Sequence, residues 1–278
     1  MTFTENGGML TMSARSFREV GWCWEGQAFD PDVGPSMFGL GDGARYLGLE
    51  RANLLFNPNN DRTLTRLSDL KEVTCDISKW KFGEIPAGEG HGTAFYNWLD
   101  ITPKTCLEES ENLSRLSLEF PNMVAGMIDD TSCMFAHPDY SRETPAQIKA
   151  ALCSANPDLK LWAVVYTTQL KEEAWQPWID VIDVANLWIW DPYNIPHLEE
   201  YVDECRAALP GKELIMGTYM QDFTRTQATP PDLLELQFET MYRIWQEGKI
   251  DGYNILDSNM VDRHPETADW IRDWLAEH

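Results

Sequence analysis

Basic side chains are scarce in this sequence: 22 Lys and Arg stand against 45 Asp and Glu, giving a net charge of -23. Such a field repels nucleic-acid phosphates and anionic membrane surfaces, so neither nucleic acid nor membrane is an expected partner. Histidine is scarce too, at five residues, and the six cysteines (Cys23, Cys75, Cys106, Cys133, Cys153, Cys205) form no CxxC pair and no zinc-site spacing. They read as free thiols, mostly small core residues. No stretch of about 18 apolar residues occurs, which removes a membrane-spanning helix, and Met1 to Phe17 lacks the basic-then-apolar order of a signal peptide. The expectation is a cytoplasmic protein, or a secreted one if a signal peptide was removed ahead of these residues. GxGxxG and GxxxxGK[ST] are both absent, so a nucleotide cradle has no support. Low-complexity blocks, linkers and short repeats are absent as well, which favours one domain.

What is abundant is tryptophan, 12 of 278 residues, within a composition that is 43% hydrophobic and can build a large core. Apolar strand-like runs alternate with helix-like stretches throughout. Strands are expected at 18–24, 51–56, 72–77, 122–128, 159–166, 185–190, 213–219 and 252–256. Helices are expected at 42–49, 63–70, 103–119, 143–154, 172–182, 196–208, 231–247 and 265–276, with Thr144-Pro145 opening one and Pro210-Gly211 closing another. Eight strand-helix units over about 260 residues match a (β/α)8 TIM barrel, α/β in class, rather than an open doubly wound sheet. We therefore expect an N-terminal extension over 1–17 and a single barrel domain over 18–278. Residues 78–102 read as a long loop after the third strand, rich in Gly and aromatics and carrying His91 between two glycines.

A barrel of this kind places its active site at the C-terminal strand ends. In order these are Trp24 and Glu25; Asn57, Asn59 and Asn60; Asp76, Lys79 and Trp80; Asp129 and Asp130; Tyr166; Trp190 and Asp191; Tyr219, Gln221 and Asp222; Asp257, Ser258 and Asn259. Carboxylates that end apolar strands need partners, solvent or a chemical task. Asp191 before Pro192, and Asp257 before Ser258, could each simply cap a following helix or shape an Asx turn. Asp129-Asp130 carries most weight, because adjacent carboxyls held in different environments have their pKa values pushed apart. Side-chain alternation leads one to expect only one of the two inside the cup. Trp22, Trp24, Trp80, Trp98, Trp188 and Trp190 fall in or near the strand ends or the long loop, whereas Trp162, Trp175, Trp178, Trp245, Trp270 and Trp274 read as helix-to-barrel packing. Aromatic faces suit the C–H patches of sugar rings, and carboxylates and amides suit their hydroxyls.

The strand-end sequences Gly126-Met-Ile-Asp-Asp130, Leu187-Trp-Ile-Trp-Asp191 and Gly217-Thr-Tyr-Met-Gln-Asp222 resemble those of bacterial glycoside-hydrolase-like TIM barrels, a likeness of style over roughly 18–276. In one broad group of retaining α-glycosidase barrels an Asp ending the fourth strand is the nucleophile, and an Asp on or after the sixth is the acid/base. The resemblance places Asp129 or Asp130 and Asp191 in those roles. The other large group has Glu at the ends of strands four and seven. This sequence departs from it, having Asp at both ends and no Asn-Glu pair, and it lacks a chitinase-like DxxDxDxE run.

The leading expectation is therefore a glycosidase acting on a carbohydrate or glycoside without a cofactor. Its catalytic residues would be Asp129, Asp130 and Asp191, and its substrate-binding residues Trp24, Glu25, Asn57, Asp76, Trp80, Tyr166, Trp190, Tyr219, Gln221, Asp222 and Asp257. A ring of carboxylates also suits Mg²⁺ or Mn²⁺ in a sugar isomerase, lyase or aldolase. A third reading is a carbohydrate-binding barrel without chemistry. A Schiff-base aldolase would have to use Lys79, two residues past Ile77, and ranks low.

Overall fold

The computed structural model describes residues 15–26, 36–86, 93–171 and 173–278. Eight parallel strands close into a barrel: β1 (Gly21–Trp24), β2 (Arg51–Leu54), β3 (Glu72–Asp76), β6 (Met123–Ile128), β7 (Lys160–Tyr166), β8 (Val184–Trp188), β9 (Glu213–Tyr219) and β12 (Gly252–Leu256). All eight overlap the runs expected from sequence, with β1 starting three residues later than expected and β8 stopping two residues earlier. Around the ring the order is β1-β12-β9-β8-β7-β6-β3-β2, so β6 and β12 stand diametrically opposite.

Outward-facing strand residues such as Val73, Cys75, Leu161, Ala163 and Val165 pack under the helices. These helices are α1 (Leu40–Tyr46), α2 (Asp61–Arg66), α3 (Pro103–Leu116), α4 (Thr144–Leu152), α5 (Leu198–Ala208), α6 (Pro231–Gln246), α7 (Met260–Arg263) and α8 (Pro265–Glu277). Local chemistry starts and orients them. Thr102 accepts a hydrogen bond from the Thr105 N–H ahead of Pro103 in α3, and α6 buries Leu234, Phe238, Met241 and Ile244 at helical spacing. No described helix is long and apolar enough to cross a membrane.

Alternate strand residues fill the barrel interior. Trp22 meets Trp162 edge-on at 4.8 Å and Trp24 meets Trp188 at 5.2 Å. Trp162 is thus an interior residue, contrary to its expected place under the helices; it shares a strand face with Val164 and Tyr166. Trp175 and Trp178 do pack in the outer shell, with Trp245, Trp270 and Trp274 against its margin. Gly217 faces Trp188 so closely that a Cβ there would lie 2.1 Å from the indole Cδ2.

Three expectations change. Residues 78–102 do not form an open loop: β4 (Lys79–Pro86) and β5 (Thr93–Asp100) pair antiparallel, in register from Lys79↔Asp100 to Pro86↔Thr93. His91 lies outside the described residues. The helix expected at 172–182 is replaced by a short 3-10 turn, Glu173–Trp175, and further turns, because Pro177 supplies no N–H to continue a helix. Residues 18–20 belong to a 3-10 helix, Phe17–Val20, in which Ser16 and Glu19 cap each other. Its Phe17 is fully buried against Tyr253 and Trp274, inside the barrel body, while residues 1–14 of the expected extension lie outside the described residues. The cysteines among these residues are free thiols, with Cys133 exposed.

Candidate active site

At the C-terminal mouth of the barrel lies a cavity of about 210 Å³, with eight aromatic and four acidic residues among its fourteen lining residues and no basic one. Trp24, Phe56, Trp80, Tyr166, Trp188, Trp190, Tyr219 and Phe223 make the walls; Glu25, Asp129, Asp130 and Asp257 supply the carboxylates. A second cavity, about 940 Å³, runs between α1 and α2 along Asp42, Arg45, Arg62 and Arg66 and has no aromatic lining among the described residues. The smaller one holds the convergent acidic groups and is the candidate site.

Both members of the Asp129-Asp130 pair line it. Alternation fails here because the strand ends at Ile128 and Asp130 turns into the left-handed region, φ 43° and ψ 46°. Asp129 accepts from the Trp80 indole N–H at 2.9 Å and, through its other oxygen, from the Asp130 N–H at 2.9 Å. Burial, then the neighbouring charges of Asp130 and Asp76, push its carboxyl well above the usual range. Burial raises Asp130 as well, opposed by the Tyr166 hydroxyl, which donates to its Oδ1 at 2.8 Å. Burial also raises the Tyr166 and Tyr219 phenols, so both stay protonated donors.

Asp76 stands behind the pair rather than in the cavity. It is fully buried, and its Oδ1 accepts from the Ser78 hydroxyl at 2.6 Å; the Ser78 oxygen in turn accepts the Asp129 N–H at 2.9 Å. Burial pushes Asp76 up to about 7, against the pull of Lys79 and these hydrogen bonds. The Lys79 ammonium itself faces the backbone carbonyls of Leu55, Asn57 and Asp76 at 3.1 to 3.4 Å, where it ties the strand ends together.

Glu25 is held by its surroundings: one oxygen accepts from the N–H groups of Leu55, Phe56 and Asn57, and the other from the Asn57 side chain. Asn57 lies on the larger cavity, outside the candidate site. Asp257 accepts through Oδ1 from the N–H groups of Asn259 and Met260 at 2.7 and 3.2 Å. Gln221 is buried, with its carbonyl 3.0 Å from His264 Nε2.

Asp191 is not a lining residue. Its strand stops at Trp188, and its Oδ1 caps the following 3-10 helix (Pro192–His197) by accepting from the Tyr193 N–H at 3.1 Å, while Arg225 pairs with it at 3.2 Å. Arg225 also pairs with Asp222 at 3.0 Å. Burial works against ionised Asp222, but bonds from Thr224 and Arg225 outweigh it and hold the carboxyl below its usual value. Trp22 sits deep in the barrel and Trp98 on the hairpin, both off the cavity. Phe56, Val164, Phe223 and Leu256 are lining residues that strand-end reading missed. Among the described residues no group of three or more His, Cys, Asp or Glu is placed to hold a metal ion.

No protein-family model matches the sequence, and a search of curated proteins finds no match. Solved structures do match. A β-D-glucuronidase of Dictyoglomus thermophilum superposes with a TM-score of 0.58 at 13% identity, covering 95% of this chain and 51% of that one. The catalytic domain of a family GH18 chitinase from the fern Peteris ryukyuensis gives 0.53 at 11% identity, over 93% and 99% of the two chains. A family 18 chitinase from Crocus vernus gives 0.51 at 13%, over 79% and 88%. The shared feature is the (β/α)8 barrel. The chain spans about half of the Dictyoglomus enzyme and nearly all of the fern catalytic domain, and its neighbours are glycoside hydrolases, with no single family fixed.

Proposed function

We propose that the protein is a glycosidase acting on a neutral or weakly cationic sugar, with Asp130 as general acid and Asp257 as the carboxylate across the cavity. The observation that carries this reading is their placement: both line one aromatic cavity, from the ends of the two strands that face each other across the barrel. Glycoside hydrolysis needs two carboxyl groups flanking the scissile bond. Asp130 has one oxygen held by Tyr166 and a carboxyl raised by burial, which favours the protonated form that a leaving oxygen needs. In the reaction its proton passes to the glycosidic oxygen, which departs with the electron pair of the broken C1–O bond. Asp257 either supplies the electron pair that bonds C1 or takes a proton from the water that does. In the first case water then attacks C1, gives its proton to Asp130 and displaces the Asp257 carboxylate with the electron pair of the C1–O bond to it; in the second the water's hydroxyl ends on C1 and its proton on Asp257, and exchange with solvent resets both carboxyls.

Asp129 stands beside Asp130 on the cavity wall and, when ionised, disfavours its ionisation. Asp191, paired with Arg225 outside the cavity, is replaced by Asp257 in this assignment. The acidic lining, without a Lys or Arg among the described residues, also argues against a uronide: a sugar carboxylate would meet like charge there and no described counter-ion. The chemistry calls on no cofactor, and turnover is expected to survive EDTA; loss of activity with recovery on Mg²⁺ or Mn²⁺ would favour metal-assisted sugar chemistry instead. The decisive test is hydrolysis of a panel of neutral aryl glycosides and oligosaccharides by wild type and by Asp129→Asn, Asp130→Asn and Asp257→Asn. Wild type should cleave at least one, and Asp130→Asn and Asp257→Asn should each lose roughly 100-fold or more in kcat. Near-wild-type turnover in both variants would sink the assignment, and saccharide that binds yet stays uncut would favour a binding barrel.

A further inference from the structure

A volume of about 210 Å³ is below the roughly 300–1,000 Å³ of pockets that enclose a drug-sized ligand, so a single sugar ring is the natural occupant. The wall of this cavity does not end at its mouth. Trp190 lines it yet remains 48% exposed, and its indole stacks on Phe223 with centroids 5.9 Å apart and planes 21° from parallel. Tyr166 and Tyr219 meet the same indole edge-on, at 6.2 and 5.8 Å. The ring is therefore fixed on several sides while part of it faces solvent.

Beyond it lies a polar fringe built around one buried acid. Asp222, whose side chain is fully buried, holds Arg225 at 3.0 Å; Arg225 also reaches Asp191 at 3.2 Å and lies 4.3 Å over the ring of half-exposed Tyr193. The short antiparallel strands β10 (Gln221–Asp222) and β11 (Gln227–Ala228) pin the loop that carries Phe223 and Arg225. The positive charge of Arg225 is matched by two carboxylates, so the fringe offers hydrogen-bond donors and acceptors with no cationic excess.

We propose that the saccharide continues out of the cavity over Trp190, whose indole carries the next pyranose ring while Arg225 and Asp191 bind that ring's hydroxyls. The substrate is then an oligosaccharide of neutral sugars rather than a simple monoglycoside, and Asp191 has a binding task instead of a catalytic one. This rests on reading the cavity as a sugar site. Aromatic faces suit the C–H side of a pyranose, and a fixed ring loses little freedom on binding.

The test is isothermal titration of Asp130→Asn, which leaves ligand uncut, with neutral β-1,4-glucan, α-1,4-glucan and β-1,4-N-acetylglucosamine series of one to four units. For the series that binds, affinity should rise roughly three- to tenfold on adding the second unit, as expected for one aromatic contact. In Asp130→Asn/Trp190→Ala the gain on adding the second unit should vanish, whatever the loss of this wall residue does to affinity for the single unit; Trp190→Phe should keep part of the gain, and Arg225→Ala, outside the cavity, should weaken the second unit only. Near-ultraviolet circular dichroism checks that each variant is folded. Equal affinity at every length, or a gain that persists without Trp190, overturns the platform and leaves the cavity reading standing. No binding at any length overturns both.

Discussion

Replacing Asp76 by Asn should change how stability depends on pH, by an amount that follows from one buried carboxyl. Asp76 is fully buried and pushed up to about 7, whereas in the unfolded chain an Asp titrates near about 3.9. Below about pH 4 both states hold the proton and the group contributes no pH dependence. Between about pH 4 and 7 the unfolded chain releases it and the folded protein keeps it, so unfolding is favoured by about 1.4 kcal/mol per pH unit. Above about pH 7 both states are ionised and the penalty levels off at about 4 kcal/mol. Asn cannot ionise, and its carbonyl can still accept the Ser78 hydroxyl that Asp76 receives at 2.6 Å. Any fixed cost of the new amide cancels from the slope. Urea unfolding followed by tryptophan fluorescence at a series of pH values should show the variant's stability rising relative to wild type from about pH 4.5 to 7, then running parallel. A gap that does not change with pH would falsify the buried, proton-holding carboxyl behind Asp129.

Two further variants probe the cavity wall. Tyr166→Phe removes the hydroxyl that stabilises ionised Asp130, so the Asp130 carboxyl rises further and the limb of the pH-rate profile that reports it moves to higher pH. If Asp130 is the acid, that is the alkaline limb; an unmoved profile argues that Asp130 does not govern turnover. Gly217→Ala drives a methyl group to 2.1 Å from the Trp188 ring, and Trp188 is wedged against Trp24 and Tyr219. Overpacking of that kind costs about 1–3 kcal/mol, read as a lower urea midpoint together with an altered near-ultraviolet spectrum, and an unchanged midpoint would contradict the packing described.

The barrel was legible because each strand is an apolar run bounded by turn residues, and eight such runs alternating with amphipathic helices leave few architectures open. The hairpin was missed: Lys79-Trp80-Lys81-Phe82 carries the polar-aromatic alternation of a half-exposed strand, but the glycines of the segment pointed to a loop. Trp162 could have been placed inside by its two-residue spacing from Val164 and Tyr166. One feature was not legible: the left-handed turn at Asp130, which brings both carboxyls to one cavity, is a backbone state that Asp adopts only in context. Asp191 was open between a catalytic and a capping role, and the strand stopping at Trp188, two residues before its expected end, left it as the cap of Pro192–His197. Counting could have offered Asp257 instead, since strands four and eight of any eight-stranded ring face each other.

The four cavity acids differ less in position than in how much their surroundings already use them. Glu25 receives three backbone N–H groups and an amide, Asp257 at least two backbone N–H groups, and Asp129 an indole and one backbone N–H. Asp130 receives one phenol. Each donor stabilises the carboxylate over the acid and fixes its orientation, but at Asp129 burial and the charges of Asp130 and Asp76 outweigh its two donors and raise the carboxyl well above its usual range, so what the series orders is how firmly each side chain is held. The surface charge is a separate matter: ion pairs such as Arg243–Glu199 and Lys160–Glu213 are exposed, contribute little, and leave the acidic excess solvated. In the proposed assignment Asp130 is the cavity acid with the fewest donors among the described residues, opposite the better-supplied Asp257, and the net charge of -23 bears on which ligands approach rather than on the bond-breaking step.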